Sequence, residues 1–489
     1  MQLNHINKWG VYAIALLFVA LNAVCIYNDF FLLSLLPIAL LLAAMAFLSL
    51  DKLMLCISFL TPLSIPLSEI SKGLSVDLSL PTEPLLAGIA IIFLFKLLYE
   101  KQFDKRVLTH PVSITIYIYM AWILVTSITS VEPLVSFKFF ISHLWFILPL
   151  YFLMTQVFRN PNNVRRYVLF YAISLCVVVL YALTRHVTYG IFDQKIAHWA
   201  SNPFYKDHTS YGALLAMNIP PIAALLFEKR NSRGIRLVYL LVLVVISVGL
   251  IFSYSRAAWL SLIGAFGVWC CIKLRIKFSF IASVLVIAAI IAFSFGENIT
   301  RILQSNNQDS STTNIVEHVK SISNVSTDAS NVERINRWKC ALRMFSEKPI
   351  FGWGPGTYMF YYAPYQISYE KTIISTNEGD MGNAHSEYLG PLCESGILGP
   401  LTLMAIIITT VITAVKIYRR KKEDVEINKL TNIALAVLIG LFTYYFHGVL
   451  NDFLDTDKAS VPFWGYTALI VAVDIYYNSS NKRIEKGGG

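Results

Sequence analysis

The sequence predicts an all-α polytopic membrane protein with about 12–14 transmembrane helices and one large periplasmic loop that contains short amphipathic helices. Its 489 residues are 56% hydrophobic and only 14% charged, with a mean hydropathy of +0.58. Soluble proteins are less apolar and nearer a quarter charged. Runs such as Leu237–Phe252 and Phe280–Phe295 contain no charge. Backbone groups in lipid must be hydrogen-bonded within their own segment, so these runs predict helices.

The distribution of the net charge of +10 supports this class and argues against a nucleic-acid partner. The basic residues lie in every second short loop, as expected for cytoplasmic loops of a membrane protein. This alternation predicts that both termini are cytoplasmic. The basic loops contain Lys101, Lys105 and Arg106; Arg159, Arg165 and Arg166; Lys229, Arg230, Arg233 and Arg236; Lys273, Arg275 and Lys277; and Arg419, Arg420, Lys421 and Lys422.

The apolar runs divide the chain into four parts. Residues 1–295 are predicted to hold transmembrane helices 1–11, residues 296–384 the large periplasmic loop, residues 385–478 helices 12–14, and residues 479–489 a cytoplasmic tail. Spans are predicted near residues 9–27, 30–50, 53–70, 83–99, 112–130, 136–157, 166–184, 210–227, 236–253, 256–273, 278–296, 387–416, 429–448 and 461–477.

Two of these spans contain helix breakers. Pro62 and Pro66 predict that span 53–70 is broken or re-entrant, because proline lacks the amide hydrogen that a helix interior needs. Gly390, Gly396 and Pro400 lie in span 387–416. They predict a short surface helix followed by the true span.

The large loop is predicted to contain an amphipathic helix. Residues 305–314 are too polar to pack, but Ser330 and Glu333 form a capping-box pattern. Apolar residues then recur at helical spacing, at Ile335, Trp338, Leu342 and Phe345. Pro349 and the glycine-rich stretch 352–356 predict a tight turn after the helix.

Candidate binding residues flank this loop. Arg256 follows Ser253, Tyr254 and Ser255, and a guanidinium group there could bind phosphate with two hydrogen bonds. The alternative is an arginine whose side chain reaches the membrane interface. In the loop, Arg334 and Arg337 fall on one helix face, where they could instead contact lipid headgroups.

Histidines supply the candidate bases. His385 lies between the polar loop and an apolar helix, flanked by Asn383 and Glu387, and an imidazole there could accept a proton near neutral pH. The alternative is a histidine that caps the helix. His208 is a second candidate at another helix start, and His447 is a weaker one.

The sequence offers little support for a metal. Asp455 and Asp457 resemble the acidic motif of some metal-dependent glycosyltransferases, but the spacing is common and a solvated loop is the simpler interpretation. The cysteines show no metal-binding spacing, and only Cys340 and Cys393 could face an oxidising space.

Three segments together resemble the O-antigen ligase and polymerase superfamily of bacterial membrane glycosyltransferases. They are Ser253–Leu260, then Arg334-x-x-x-Trp338 continuing to Tyr358, and Asn383–Leu389 with the stretch from Glu394 to Gly399. They are spaced around one large loop, as in that family.

The resemblance implies a function. A glycan would be transferred from undecaprenyl pyrophosphate to an acceptor hydroxyl at the periplasmic face of the bacterial inner membrane, without cofactor or metal. Arg256 and Arg334 would bind the pyrophosphate, and His385 would act as the acceptor's base or would orient the acceptor. Support would come from Ser253, Tyr254, Ser255, Arg337, Trp338, His208, Asn383 and Glu387.

The acceptor stays open. Lipid A-core, as in O-antigen ligases, is the first expectation. Another glycan repeat, as in polymerases, and a protein hydroxyl, as in O-oligosaccharyltransferases, are the alternatives. A glycolipid transporter is the rival of a different class, and it would move the donor without cleaving it.

Overall fold

A computed structural model describes residues 8–28, 33–34, 36–37, 44–45, 48–70, 78–100, 103–228, 231–277, 329–372, 375–376, 382–420 and 424–477. The chain divides into two compact units, residues 1–56 and residues 57–489. The first contains helix α1, Lys8–Tyr27. All contacts described below lie within the second unit.

The elements after α1 are almost all helical. In the first half they are α2 Leu50–Leu60, α3 Leu67–Ile70, α4 Thr82–Glu100, α5 Lys105–Leu108, α6 Pro111–Ile128, α7 Pro133–Ile147, α8 Met154–Val157, α9 Pro161–Tyr189, α10 Gln194–Ala200, α11 His208–Leu226, α12 Arg233–Phe252 and α13 Arg256–Lys273. In the second half they are α14 Ala329–Glu347, α15 Tyr358–Tyr361, α16 Leu389–Ser395, α17 Leu398–Arg419, α18 Val425–His447 and α19 Asp457–Tyr476. Strands β1 Ile65–Pro66 and β2 Ser79–Leu80 pair antiparallel, with Ile65 opposite Leu80. Short 3₁₀ turns cover Thr61–Leu63, Ala363–Tyr365 and Ser368–Glu370.

The predicted fold class is confirmed. Within the described residues, ten helices are long and apolar enough to cross a membrane: α4, α6, α7 with its continuation to Val157, α9, α11, α12, α13, α17, α18 and α19. A π-helical turn, Leu148–Leu153, joins α7 to α8 within one span. The predicted span 278–296 and most of the predicted span 30–50 lie outside the described residues.

The predicted span 53–70 is indeed broken, and it forms no membrane-crossing helix. Helix α2 ends at Leu60, and a 3₁₀ turn containing Pro62 follows it. The carbonyl groups left without helical partners accept hydrogen bonds from the buried Lys458, whose Nζ lies 2.8 Å from Thr61 O and 2.6 Å from Ser64 O. The ammonium group therefore stabilises the break.

The predicted division of span 387–416 is also confirmed. Helix α16 ends at Ser395 and α17 begins at Leu398. Between them Gly396 has a φ of +67°, and a Cβ atom there would lie 1.9 Å from the carbonyl oxygen of Ile350. Only glycine allows this turn.

Helix α14 is the predicted amphipathic helix, but the predicted capping box and buried face are wrong. Ser330 already lies inside the helix, and Glu333 bonds to the Arg337 side chain rather than forming a capping box. The buried face carries Cys340, Ala341 and Met344, while Leu342 is 46% exposed. The small side chains at 340 and 341 allow close packing against Tyr358 and Tyr362, which no pattern of large apolar residues could indicate.

This packing joins the end of the loop to α16. Ala384 and Cys393 belong to the same buried cluster as Cys340 and Tyr358. Both cysteines are free thiols. The glycine-rich turn completes the joint, because the Trp353 and Gly354 amides donate to the carbonyl oxygens of Cys393 and Glu394 at 3.0 and 2.7 Å. The residues before α17 are therefore held against α14.

The predicted topology has a direct test. Cysteines introduced at the exposed Tyr369 and the exposed Arg233, in a background without the seven native cysteines, are expected to react with an impermeant maleimide from opposite sides of the membrane. Labelling is compared between intact spheroplasts and inverted vesicles. Reaction of both positions from one side would contradict the predicted topology.

Candidate active site

Two helix N-termini meet at the predicted site. Gly212, in the first turns of α11, packs on the turn before α13, where a Cβ atom would lie 2.7 Å from the Ser255 Cβ and 3.0 Å from the Ser253 Oγ. Amide groups in the first turn of a helix lack helical partners and carry partial positive charge. Their close approach creates a region that favours an anion.

Arg256 and Arg334 add full charges to this region. Arg256 is the first residue of α13, and Arg334 lies in the second turn of α14. They lie close enough for their charges to repel each other, and both are partly buried. Two adjacent cations out of bulk water raise the free energy of the empty site, which a bound anion would lower.

The residues before Arg256 build the turn that positions it. Ser253 Oγ donates to the Leu250 carbonyl oxygen at 2.8 Å, and Tyr254 has a φ of +50°. The Tyr254 hydroxyl donates to the Phe192 carbonyl oxygen at 3.3 Å. Ser255 occupies the N-cap position of α13, and its buried Oγ has no hydrogen-bond partner among the described residues. Ser253 and Tyr254 therefore hold the backbone, while Ser255 retains a hydrogen-bonding group beside Arg256.

Asp207 also lies at this site, although it is not among the residues that the sequence predicted. Its carboxylate caps α11 by accepting from the Thr209 and Ser210 amides at 2.7 and 2.8 Å, and it also attracts Arg334. An aspartate directly before His-Thr-Ser at the start of an apolar run is an N-cap signal that would have identified its structural role. With one carboxylate and two arginines, these three side chains carry a net positive charge.

Three histidines border the arginines. The His208 ring lies edge-to-face on the His198 ring, with centroids 4.2 Å apart. His447, at the end of α18, is 1% exposed, and its Nε2 lies 3.0 Å from the Asn451 Nδ2. Both His208 and His447 are within electrostatic range of Arg334. His447 is thus closer to the site than its weak sequence signal indicated.

His385 lies within electrostatic range of Arg334 and Arg337. Its backbone has a φ of +49°, which is unusual for any residue other than glycine. The Trp338 Nε1 donates to the His385 carbonyl oxygen at 3.3 Å, and the His385 amide donates to the Asn383 Oδ1 at 3.3 Å. Trp338 and Asn383 therefore position the residue from both sides.

Helix capping does not account for His385. Helix α16 begins at Leu389, and its N-cap residue is Tyr388. Burial, together with Arg334 and Arg337, lowers the pKa of His385 from 6.5 to about 4. The imidazole is therefore neutral at physiological pH and can accept a proton.

Arg337 has a structural environment that differs from that of Arg334. Its Nε lies 2.7 Å from the Glu333 Oε1, and its guanidinium group stacks 4.0 Å from the centre of the Tyr362 ring. Its side chain is 4% exposed, and a Cβ at Gly382 would overlap its Nη1. Arg337 is thus paired with Glu333, whereas Arg334 lies beside a second cation, Arg256, so Arg334 is the better candidate for binding an external anion.

Glu387 anchors the loop after α18 rather than lining the site. Its carboxylate accepts hydrogen bonds from the Phe453 and Leu454 amides at 2.7 and 2.9 Å and from the Tyr444 hydroxyl. Burial is the main cause that raises its pKa to about 7. These bonds hold α16 to the end of α18, and so they hold the segment that carries His385.

Asp455 and Asp457 do not converge. Asp455 Oδ1 lies 3.8 Å from the His143 Nε2, whereas Asp457 is fully buried and accepts a hydrogen bond from Ser64. Over the part of the chain that the structure describes, no group of three or more His, Cys, Asp or Glu side chains is placed to bind a metal ion.

The region that contains Arg256, Arg334 and His385 is similar to a known protein family. A family model described as O-antigen ligase matches residues 241–404. This part of the chain is therefore similar to the O-antigen ligase family. No curated protein matches the chain.

The matched region runs from within α12 to the start of α17, so it contains all three segments that carry the resemblance. It includes Ser253, Tyr254, Ser255, Trp338, Asn383 and Glu387 as well as the central residues. Asp207, His208 and His447 lie outside it. Glycosyl transfer of the O-antigen ligase or polymerase type is therefore the general activity that the family supports.

Proposed function

We propose that this protein transfers a glycan from undecaprenyl pyrophosphate to an acceptor hydroxyl at the periplasmic face of the inner membrane. In its most specific form, the proposed reaction is the ligation of O-antigen to lipid A-core. The observation that carries the proposal is the meeting of Arg256, Arg334 and two helix N-termini beside a neutral His385. A pyrophosphate leaving group needs cations at this position, and the acceptor needs a base next to it.

The chemistry is a substitution at the anomeric carbon of the glycan. The acceptor oxygen forms a bond to that carbon while the bond from the carbon to the pyrophosphate oxygen breaks. Charge grows on the pyrophosphate, where Arg256 and Arg334 stabilise it. The acceptor proton passes to the His385 imidazole, and the lipid keeps the pyrophosphate.

The residues around the arginines would serve this step. The Ser255 hydroxyl and the first amides of α13 can donate to phosphate oxygens. Asp207 would hold Arg334 in place, and Trp338 would fix the His385 backbone. We propose no metal, because the arginines and helix N-termini supply the positive charge that a divalent ion would otherwise provide.

Deletion of the gene in its host tests the reaction and the acceptor together. Ligation predicts lipopolysaccharide without O-antigen and accumulation of the lipid-linked polymer. A single O-antigen repeat on the core would indicate a polymerase, and normal surface glycans with unmodified secreted proteins would indicate a protein transferase.

Purified enzyme should retain its activity in EDTA. Movement of the donor across the membrane without cleavage would contradict glycosyl transfer and indicate a transporter.

A further inference from the structure

A large apolar groove lies on the half of the bundle away from the arginines. It has a volume of about 730 Å³ and is formed by α11, α13 and α18. Its walls include Pro220, Phe227, Phe266, Trp269, Leu435 and Ile439. The site ends of these same helices carry His208, Arg256 and His447.

The groove opens sideways. Phe227 is 76% exposed, Ile263 is 68% exposed and Phe266 is 61% exposed. Helix α13 is among the least buried of the candidate spans, with 17% of its residues buried. In a bilayer, these side chains would face hydrocarbon, so an acyl chain can enter the groove from the membrane plane.

A polar cavity of about 400 Å³ continues the groove at one end. Lys273, Tyr418 and Asn432 line both cavities. Four basic residues surround the polar cavity: Lys273, Arg275, Arg419 and Arg420. Of these, Arg420 forms an ion pair with Asp474 at 2.7 Å. The remaining three side chains are exposed and leave the cavity positively charged.

The polar cavity lies at the membrane face opposite the candidate active site. Arg256 begins α13 and Lys273 ends it, and a helix of 18 residues is roughly 27 Å long. The loops at this end carry the basic residues that predict the cytoplasmic side. The anionic lipids of that leaflet have the matching charge.

We propose that this groove binds an anionic phospholipid of the cytoplasmic leaflet. One acyl chain lies between α11, α13 and α18, and the phosphate of the headgroup binds Lys273, Arg275 and Arg419. An apolar channel that leads directly into a basic cavity is complementary to such a lipid, since each part matches one part of the ligand. The proposal is independent of the reaction at the arginines.

Trp269 provides the measurement, because it lies in the groove. Purified protein is reconstituted with dibrominated phosphatidylglycerol or dibrominated phosphatidylcholine, and the quenching due to Trp269 is the difference between the wild type and Trp269→Phe. Quenching is expressed relative to each variant without brominated lipid. Phosphatidylglycerol is expected to reach half-maximal quenching at a lipid fraction at least about threefold lower than phosphatidylcholine does.

The variant Lys273→Gln/Arg275→Gln/Arg419→Gln should lose this preference. The matched control Lys105→Gln/Arg166→Gln/Arg233→Gln removes the same charge from other exposed positions and should keep it. Ala223→Phe, which places a ring in the groove, should weaken quenching by phosphatidylglycerol while the basic residues remain.

Equal quenching by the two lipids would overturn the proposal, as would an unchanged preference in the triple variant. Unbrominated phosphatidylglycerol should displace the brominated lipid. More effective displacement by undecaprenyl phosphate would assign the groove to the donor's lipid instead and would also overturn the proposal.

Discussion

Replacing Arg334 by alanine is expected to reduce glycan transfer by about 10²–10³-fold, the usual cost of removing one group that stabilises charge in a transition state. The expected loss follows from the position of Arg334 beside Arg256, where the proposed pyrophosphate would gain charge. Arg334→Lys should restore little activity, because an ammonium group cannot form the two parallel hydrogen bonds of a guanidinium group. Turnover of the lipid-linked glycan by purified enzyme is the measurement.

Arg337 provides the matched control, because it lies one turn away on the same helix. Arg337→Ala would leave the Glu333 carboxylate, 7% exposed, without its counter-ion, at an expected cost of about 3–5 kcal/mol in the free energy of unfolding. Arg334 lies outside the cluster of Cys340, Ala341 and Met344, so its alanine variant should melt near the wild-type temperature. Full activity in folded Arg334→Ala would remove this residue from the proposed site.

The second large effect concerns proton transfer. His385→Gln keeps hydrogen-bonding capacity but removes the base, so the rate should fall by about 10²–10⁴-fold if the imidazole accepts the acceptor's proton. Binding of the lipid donor should change little, because the proposed contacts to pyrophosphate come from the arginines. Near-normal turnover in this variant would rule out proton abstraction by His385 and leave it a positioning role.

The pH profile provides an independent measurement. Burial, Arg334 and Arg337 lower the pKa of His385 to about 4, so the basic form persists through neutral pH and kcat/KM should fall only as the pH approaches that value. Arg334 is one cause of this shift. The residual activity of Arg334→Ala should therefore decline at a higher pH than the wild-type activity.

Unfolding in acid must be separated from this effect. An unfolded histidine takes up a proton near its ordinary pKa of 6.5, whereas folded His385 stays neutral down to about pH 4. The unfolded state therefore binds more protons in that interval, and stability declines as the pH falls through it. Thermal melts at each pH show whether a loss of activity occurs in folded enzyme. An acid limb near pH 6.5 in folded enzyme would contradict a lowered pKa for the catalytic base.

Local patterns predicted much of the fold. Runs of apolar residues are sufficient to indicate membrane helices, because the bilayer imposes both the length and the internal hydrogen bonding. Prolines 62 and 66 indicated the break after α2, and the glycines around Gly396 indicated the separation of α16 from α17. These effects depend on residues close in sequence, so the sequence alone reveals them.

Side-chain partners could not be predicted in this way. The capping-box pattern at Ser330 and Glu333 was locally reasonable, but the carboxylate gains more from the buried Arg337 and from Thr372 across the loop. Similarly, Glu387 was grouped with the site because of its position beside His385. In the structure, the Glu387 carboxylate instead accepts hydrogen bonds from the Phe453 and Leu454 amides.

The sequence by itself determined the membrane class and the three segments that lie in the region matched by the O-antigen ligase family model. The tertiary structure decided which residues meet. It brought the N-termini of α11 and α13 together through Gly212, added Asp207 and His447 to the arginines, and separated Arg334 from the paired Arg337. The physical reason is that these contacts join distant parts of the chain. Their free energies depend on burial and on neighbouring charges, which cannot be deduced from the spacing of residues along the sequence.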